Sequence, residues 1–315
     1  MSLPLSPVAV GPQVWSVDSG YVRPDLCAIH ILQAADRAAI IDTGIHTSVP
    51  RTLAALAELG VPRDHVQYVI LTHIHLDHAG GAGSLMQQLP AATLVVHPRG
   101  ARHMADPSRL IAGSIAVYGE TVFRQLYGDI LPIDADRIHA THDDECLRLG
   151  DRPLRFMHTP GHARHHHCIA DPTGGGVFTG DTFGIAYPQL RSPDGRPFLF
   201  PTTTPVHFDP DAARASIDRI VSTGHDVAWL THYSRVQGLG ELAAQLHAHL
   251  DHFVELTASS DSVEQLERRV MDHLQESLDE MGHPWSRQAR ADLLELDARL
   301  NAQGLMHWWT SRRDR

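Results

Sequence analysis

Short apolar runs alternate with stretches of helical periodicity through most of the chain. The runs are rich in β-branched residues and are separated by Gly, Pro or Asp, which is typical of strands between turns. Such runs cover residues 14–17, 27–32, 38–42, 66–71, 93–97, 147–149, 154–158, 166–170, 177–179 and 227–230. Leucines at 53, 56 and 59 predict a helix over 49–59, and a shorter helix is predicted over 84–89. This alternation indicates an α/β (α+β) fold in which helices cover sheets.

The segments between these strands add two features. Residues 101–128 are mostly helical and are interpreted as an insertion over one end of the sheets. Residues 184–208 are irregular and rich in proline, and a loop of this length inside a compact domain is usually functional. Asp209 and Pro210 then suit the start of a helix, as N-cap and first helical residue.

Beyond residue 240 the pattern is helical only. One helix face is marked by Leu242, Leu246, Leu250, Phe253 and Leu256. Further helices are predicted around 262–281 and 286–302. An apolar stripe of this kind must pack on something, so it either covers a binding pocket or forms a homodimer interface. We predict an α/β domain over 1–240 and a C-terminal helical extension over 241–315.

Composition and charge exclude several classes of protein. The chain has 315 residues, of which 43% are hydrophobic and 20% charged, enough for a sizeable core. No run approaches the ~18 apolar residues of a spanning helix, so no membrane partner is expected. A net charge of −11 argues against nucleic-acid binding. The start, MSLPLSPVAV, lacks a basic region and predicts no signal peptide; with three scattered cysteines, this favours the cytoplasm.

Among 24 histidines, one group has the spacing that metal binding requires. His73-x-His75-x-Asp77-His78 directly follows the strand over 66–71. Alternate residues of an extended segment share a face, so His73 and His75 can bind one ion. Asp77 and His78 lie past a bend and can reach a second. In contrast, a group in the helical tail is interpreted as exposed background: His247, His249 and His252.

Three more strand ends carry a metal-capable side chain. His162 follows the turn Thr159-Pro160-Gly161, Asp181 follows Thr179-Gly180, and His232 follows Leu230-Thr231. Each of these is a weak signal alone, but four such strand ends in order indicate one metal centre.

With these motifs, and with Ile41-Asp42-Thr43-Gly44, the sequence resembles the metallo-β-lactamase fold superfamily over about residues 10–235. The resemblance implies a four-layer αβ/βα sandwich with a metal site along one edge of the paired sheets. It implies that one metal takes His73, His75 and His162, the other takes Asp77, His78 and His232, and Asp181 bridges them. Imidazole and carboxylate ligands favour two Zn2+ ions, with iron or manganese as alternatives.

Within that superfamily, the sequence is similar to the hydrolases that include glyoxalase II and the lactonases. True lactamases tend to carry a cysteine in the second metal site, whereas Cys27, Cys146 and Cys168 lie elsewhere. A poorly characterised prokaryotic subgroup is similar in three further segments. These are Gly161-His162-Ala163, His165-His166, and Pro201-Thr202-Thr203-Thr204-Pro205 followed by Phe208-Asp209.

The function expected is metal-dependent hydrolysis of a small-molecule substrate. A hydroxide bridging two metals would attack an ester, thioester or lactone carbonyl. Asp77 would bind a metal and also orient this hydroxide. His166 and Asp42 are expected to support the ligands from behind, whereas His165 and His167 are interpreted as mostly structural. Substrate contacts are expected from Phe183, Tyr187, Phe200 and Tyr233, the last as an oxyanion donor.

Three alternatives stay open at this point. The first is a mononuclear iron dioxygenase of the persulfide type on the same fold. The second is a metal-dependent nuclease or phosphodiesterase, against which the acidic charge argues. The third is a non-catalytic binding module, against which the intact ligand set argues.

Overall fold

The structure is a computed structural model that describes residues 6–203 and 205–313. The first residues of the N-terminal start and Thr204 of the 201–205 segment lie outside the described residues. Two compact units form. The first runs up to His158 and adds His165–Gly180 and Val227–Arg235, and the second holds Thr159–Arg164, Asp181–Asp226 and the described chain from Val236 onward. The boundary predicted at residue 240 stays a prediction.

The first sheet has seven strands in chain order. They are β1 (Val8–Gly11), β2 (Val14–Asp18), β3 (Ala28–Ala34), β4 (Arg37–Ile41), β5 (Val66–Leu71), β6 (Thr93–Val96) and β7 (Ile138–Ala140). Neighbours from β1 to β4 are antiparallel, and those from β4 to β7 are parallel. The parallel strands are joined by helical crossovers, which parallel pairing requires.

The second sheet has six strands. They are β8 (Cys146–Leu149), β9 (Arg152–His158), β10 (His167–Asp171), β11 (Gly176–Gly180), β12 (Val227–Leu230) and β13 (Ser234–Gln237), in the order β13-β12-β11-β10-β9-β8. β11 and β12 run parallel, whereas β8, β9, β10 and β11 pair antiparallel in sequence. As in the first sheet, parallel neighbours end at the same edge.

One apolar core lies between the two sheets and another lies under the helices of the first unit. Successive side chains along a strand point alternately into these two cores. Ile41 of β4 lies in the core between the sheets, with Phe156, Phe178 and Trp229 of the second sheet. Its neighbour Ile40 faces the helices instead. β3 and β4 in the middle of the first sheet are buried on both faces, and their residues are mostly apolar.

Six helices occur in the first unit. They are α1 (Val49–Glu58), α2 (Leu76–Ala79), α3 (Ala82–Gln88), α4 (Pro98–Ala105), α5 (Ser108–Tyr118) and α6 (Glu120–Tyr127). α1, α3 and α4 contribute Leu56, Leu85 and Met104 to the core on the outer face of the first sheet. The helices α4 to α6 confirm the helical segment predicted over 101–128.

The second unit contains the remaining helices. They are α7 (Pro210–Val221), α8 (Leu239–Ala258), α9 (Val263–Glu280) and α10 (Arg287–Arg313). Asp209 caps α7 as predicted, since its carboxylate accepts from the backbone N–H groups of Asp211 and Ala212. Along α9, Leu266, Val270, Leu274 and Leu278 repeat every four residues and are buried where α9 packs along α10.

The C-terminal helices hold the long loop over 184–208. Tyr187 donates its hydroxyl to Asp297 of α10 at 3.0 Å, and Thr203 bonds Asn301 of the same helix. His283 lies 2.9 Å from the carbonyl of Gln189. The tail and the loop therefore form one packed unit, in which the described residues of the loop have little regular structure of their own.

The predicted fold class is confirmed: two sheets with helices form the α/β sandwich, and helices follow at the C-terminus. The prediction missed β1, β7 and β13, which are short strands at the edges of the two sheets. It was also wrong about His249. That side chain is only 5% exposed, because it shares the buried stripe of Leu246, Leu250 and Phe253 on α8. None of the described helices is long and apolar enough to cross a bilayer.

Candidate metal centre

The segment from His73 to His78 begins in the loop after β5 and continues into the short helix α2. His75 is the N-cap of α2, so Asp77 and His78 fall in its first turn. His73 and His78 are fully buried, whereas His75 and Asp77 are partly exposed. The His73 Nε2 and His75 Nδ1 atoms lie 2.8 Å apart. The segment thus turns two imidazoles toward each other, and a bend separates them from the next pair, as predicted.

Close backbone packing holds this loop in place. The carbonyl of His78 accepts from both the backbone N–H and the hydroxyl of Thr43, each at 2.7 Å. A Cβ on Gly81 would lie 2.8 Å from the carbonyl oxygens of Thr43 and Ile45. Glycine is required here because two backbone segments approach without room for a side chain.

Asp42 is the hydrogen-bonding hub behind the ligands. It follows β4, and its carboxylate accepts from the Thr72 N–H at 2.8 Å and the Thr231 hydroxyl at 2.8 Å. The same carboxylate lies 2.7 Å from Nδ1 of His78. An ionised carboxylate only accepts, so Nδ1 of His78 carries the proton and Nε2 carries the lone pair.

His232 is oriented in the same way at the end of β12. Its Nδ1 lies 2.5 Å from the carbonyl oxygen of Leu26, which can only accept, so Nε2 again has the lone pair. That Nε2 lies 3.3 Å from Oδ2 of Asp77, and Nε2 of His78 lies 3.7 Å from the same oxygen. Asp77, His78 and His232 therefore form one group that can hold a metal ion.

His162 and Asp181 meet within the second unit. Nε2 of His162 lies 3.4 Å from Oδ2 of Asp181, and both side chains are buried. His162 Nδ1 lies 3.1 Å from the carbonyl oxygen of Thr202, which fixes the same tautomer as in His78 and His232. Both residues line a recess together with Thr182, Pro201, Thr202, Phe208, Ala213, Ile217, Leu246 and Leu250. The recess is therefore walled in part by α8 of the helical tail.

Two pairs of donor atoms have the spacing of ligands on a transition metal. Ligand atoms at 2.0–2.1 Å from a tetrahedral zinc lie about 3.3–3.4 Å from one another. The 3.3 Å between His232 and Asp77 and the 3.4 Å between His162 and Asp181 match that separation. A second hydrogen bond on the far ring nitrogen is the usual support of a metal-binding histidine, and three of these side chains have it.

Further histidines lie around His73. The ring of His166 stacks on it with centroids 5.0 Å apart, and the ring of His165 stacks at 6.0 Å. His166 is fully buried, and its Nε2 lies close to Gly180, where an added Cβ would approach it to 2.6 Å. Its expected role behind the ligands stays a prediction. His165 also lies 5.4 Å from His75, a proximity that sequence reasoning missed.

His167 points away from this group into a separate cluster. Its Nδ1 lies 3.0 Å from the Thr141 hydroxyl, and its ring neighbours those of His97 and His158. Burial, with the nearby His97 and His158, lowers the pKa of His167 to about 3. Burial and the same His158 lower the pKa of His97 to about 4. Both side chains are therefore neutral at physiological pH.

The four predicted substrate contacts lie in different surroundings. Phe183, Tyr187 and Phe200 are fully buried in the second unit, where the Tyr187 and Phe200 rings meet edge to face. Tyr233 is partly exposed in the first unit. Burial and the carboxylates of Asp18 and Asp25 raise its pKa, so the hydroxyl remains protonated and able to donate. Contact of these residues with substrate stays a prediction.

Comparison with known proteins gives one family and several distant relatives. A family model described as the metallo-beta-lactamase superfamily matches residues 22–232. The metallo-beta-lactamase fold-containing protein ST1585 of Sulfurisphaera tokodaii is 27% identical over 201 residues, 61% of this chain and 67% of that protein. A solved structure of ST1585 superposes with a TM-score of 0.67 at 22% identity, covering 95% of this chain and 99% of that one, which shows the fold alone.

Two further relatives are named as enzymes. The hydroxyacylglutathione hydrolase of Xanthomonas euvesicatoria pv. vesicatoria is 32% identical over 203 residues, 63% of this chain and 60% of that enzyme. The acyl-coenzyme A thioesterase MBLAC2 of Homo sapiens is 26% identical over 187 residues, 53% of this chain and 62% of that enzyme. The matched region thus spans somewhat more than half the length of these two enzymes.

Proposed function

Because this chain belongs to the metallo-beta-lactamase superfamily, we propose that it is a metal-dependent hydrolase that uses two metal ions to cleave a thioester, ester or lactone of a small molecule. The observation that carries this proposal is the group of Asp77, His78 and His232. One carboxylate oxygen lies within 3.7 Å of two imidazole nitrogens whose tautomers are fixed from behind. A carboxylate oxygen and two imidazole nitrogens at this spacing are a donor set that can hold a metal ion.

The full ligand set that we propose is the one predicted from the sequence. His73, His75 and His162 would hold one ion, Asp77, His78 and His232 would hold the other, and Asp181 would be shared between them. Chain connectivity supports this set. In the sequence, His162 lies on the short connection between β9 and β10, and Asp181 directly follows β11.

The donors favour zinc, with iron or manganese as alternatives. All seven are imidazoles or carboxylates, which suit these metals. The buried thiols of Cys27 and Cys168 lie against backbone carbonyls of Asp77 and Thr179, at 3.3 and 3.5 Å. A thiol directed at a carbonyl is a donor there, so these cysteines do not enter the proposed ligand set.

When bound, the metal ions supply an activated water and polarise the substrate carbonyl. The residues of the chain do the rest. Asp77, which keeps 22% of its side chain exposed, can both hold a ligand position and accept a hydrogen bond from the attacking water. Tyr233, next to His232, is proposed to donate to the oxyanion, and Phe183, Tyr187 and Phe200 to shape the substrate pocket.

A thioester is the first substrate class to test. The names of two relatives, an acyl-coenzyme A thioesterase and a hydroxyacylglutathione hydrolase, both refer to thioester substrates. Their identity to this chain is 26–32%, so the acyl group and the thiol carrier remain to be found by assay. We also propose that the protein acts in the cytoplasm, where its three free cysteines would stay reduced.

The proposal is tested with a panel of thioesters, lactones, aryl esters and phosphodiesters, run on protein of measured metal content. We expect thioester or other carboxylic-ester hydrolysis that is lost on treatment with a chelator. Cleavage of phosphodiesters alone would replace this proposal with a nuclease or phosphodiesterase. One iron per chain together with oxygen consumption would replace it with a dioxygenase.

A further inference from the structure

A single peptide group in the long loop connects the helical tail to His162. The carbonyl oxygen of Thr202 lies 3.1 Å from Nδ1 of His162. The N–H on the other side of the same peptide bond belongs to Thr203, and it donates to Oδ1 of Asn301 at 2.8 Å. Asn301 lies on α10, almost a hundred residues further along the chain. The two ends of one planar amide thus contact a proposed metal ligand and a helix of the tail.

Asn301 is well suited to hold that peptide. It is 2% exposed, and its side-chain oxygen accepts both the Thr203 N–H and the Thr203 hydroxyl, each at 2.8 Å. The hydroxyl also lies 3.0 Å from the backbone carbonyl of Asn301. An amide oxygen has two lone pairs, so both bonds can exist together. Among the described residues of the surrounding loop, regular structure consists of the 3-10 helix Pro188–Leu190 and the bridge between Ile185 and Phe200, and neither includes Thr202.

We infer that Asn301 is a positioning residue that keeps His162 in the tautomer and orientation needed to bind metal, acting through the Thr202–Thr203 peptide. The inference rests on the proposed function only in taking His162 as a ligand. A peptide whose N–H is bonded is a stronger acceptor at its carbonyl, because hydrogen bonds in a chain polarise one another. Thr202 then holds the proton on Nδ1 of His162, and the lone pair that can bind a metal lies on Nε2.

Asp297 provides a matched control on the same helix. It lies one turn before Asn301 and also bonds the long loop, through the Tyr187 hydroxyl at 3.0 Å. Asp297 and Asn301 both have buried side chains. Asp297 accepts a hydrogen bond from a side chain, that of Tyr187. Asn301 instead accepts one from the peptide group whose carbonyl contacts His162. General loosening of the loop and loss of the specific connection can therefore be separated.

The test measures zinc affinity by competition with a chromogenic chelator, together with the unfolding temperature. We expect Asn301→Ala to weaken one of the two zinc-binding steps about tenfold, the lower end of the loss typical for partners of metal ligands. Asn301→Asp keeps an accepting oxygen and should stay within about twofold of the wild type. Asp297→Ala should lower the unfolding temperature without weakening zinc. Unchanged affinity in Asn301→Ala, or equal loss in Asp297→Ala, would overturn the inference.

Two further measurements keep the inference testable. His162→Ala is measured in the same assay, and if zinc binding does not change, the ligand assignment itself fails, separately from the role of Asn301. The tautomer of His162 in metal-free wild type is read by long-range proton–nitrogen NMR. We expect the proton on Nδ1, and a proton on Nε2 would contradict the inference even if Asn301→Ala does not fold.

Discussion

Asp42 lies 2.7 Å from Nδ1 of His78, and solvent reaches neither side chain. The carboxylate also accepts from Thr72 and Thr231, so it joins the ends of three strands, β4, β5 and β12. With these contacts the Asp42 carboxylate fixes the imidazole of His78 from behind. The position of a proposed metal ligand thus depends on a residue that is not proposed to touch the metal.

Replacing Asp42 should weaken metal binding through His78. In Asp42→Asn, the amide can donate to Nδ1 of His78, which would move the imidazole proton to Nε2 and remove its lone pair. We expect metal affinity to fall about 10–100-fold, the usual cost of losing such a partner. The measurement is chelator competition on the folded protein.

Asp171→Asn is the matched control for this loss. Asp171 is also a fully buried carboxylate in the first unit, but it pairs with Arg152 and is not part of the proposed ligand set. Its replacement should destabilise the protein by a few kcal/mol, about 3–5 by comparison with other broken buried pairs. Metal affinity should stay unchanged. If Asp42→Asn and Asp171→Asn weaken metal equally, the specific role of Asp42 is wrong.

Gly184 should be required for the turn that carries Asp181. It has a φ of +75°, and its N–H donates to the carbonyl of Asp181 at 3.1 Å. A Cβ there would lie 2.5 Å from the Phe200 carbonyl oxygen and 2.8 Å from Leu246 Cδ2. Gly184→Ala must therefore displace the turn, and we expect a loss of metal affinity as well as stability.

Gly195→Ala is the control that distinguishes the cost of backbone strain from the effect of displacing the turn at Gly184. It has a φ of +87°, but a Cβ there would meet no atom within 4 Å. Gly195→Ala should cost about 1–2 kcal/mol of stability from the left-handed conformation alone and leave metal affinity unchanged. An unaltered metal affinity in Gly184→Ala would argue that Asp181 tolerates displacement or does not bind metal.

The buried pair His249 and His273 in the helical tail should make the stability of the protein depend on pH. Nδ1 of His249 lies 2.8 Å from Nε2 of His273. Burial, then the neighbouring His273 and His252, lower the pKa of His249 to about 3, and burial with His252 lowers that of His273 to about 4. An unfolded histidine titrates near 6.5, so below that pH the unfolded chain binds protons that the folded chain does not. Stability should therefore fall as the pH decreases from 6.5 to 4.

His249→Leu tests this directly in metal-free protein. One buried histidine contributes a slope of at most about 1.4 kcal/mol per pH unit in that window. Urea unfolding between pH 4.5 and 8 should show a shallower slope for the variant by up to that amount. Any difference that persists unchanged at pH 8 reflects packing. Parallel curves for the two proteins over the whole range would contradict the protonation account.

The sequence pattern predicted the strand ends well because hydrophobic runs and turn residues are local signals. The strand over 66–71 was placed correctly, and Asp77, His78 and His232 come together where β5 and β12 end. By contrast, β7 has three partly exposed residues and no period of its own. Its existence depends on pairing with β6, which a local pattern cannot show.

Contacts to backbone carbonyls could not be read from the sequence. The carbonyls of Leu26 and Thr202 orient His232 and His162, and every residue has such a carbonyl, so residue type gives no signal. The burial of His249 could have been predicted. It lies three residues after Leu246 and four before Phe253, which is the spacing of one helix face.

The most direct test of the account is a metal titration followed by thioester hydrolysis. Metal-free protein receives counted equivalents of zinc, and the hydrolysis rate is measured at each step, with Asp77→Asn as the comparison. The account predicts a rate that increases up to two equivalents per chain and stays at least about 100-fold lower in Asp77→Asn, more than the loss of a supporting partner costs. A rate that saturates at one equivalent, or one that Asp77→Asn leaves unchanged, would contradict it.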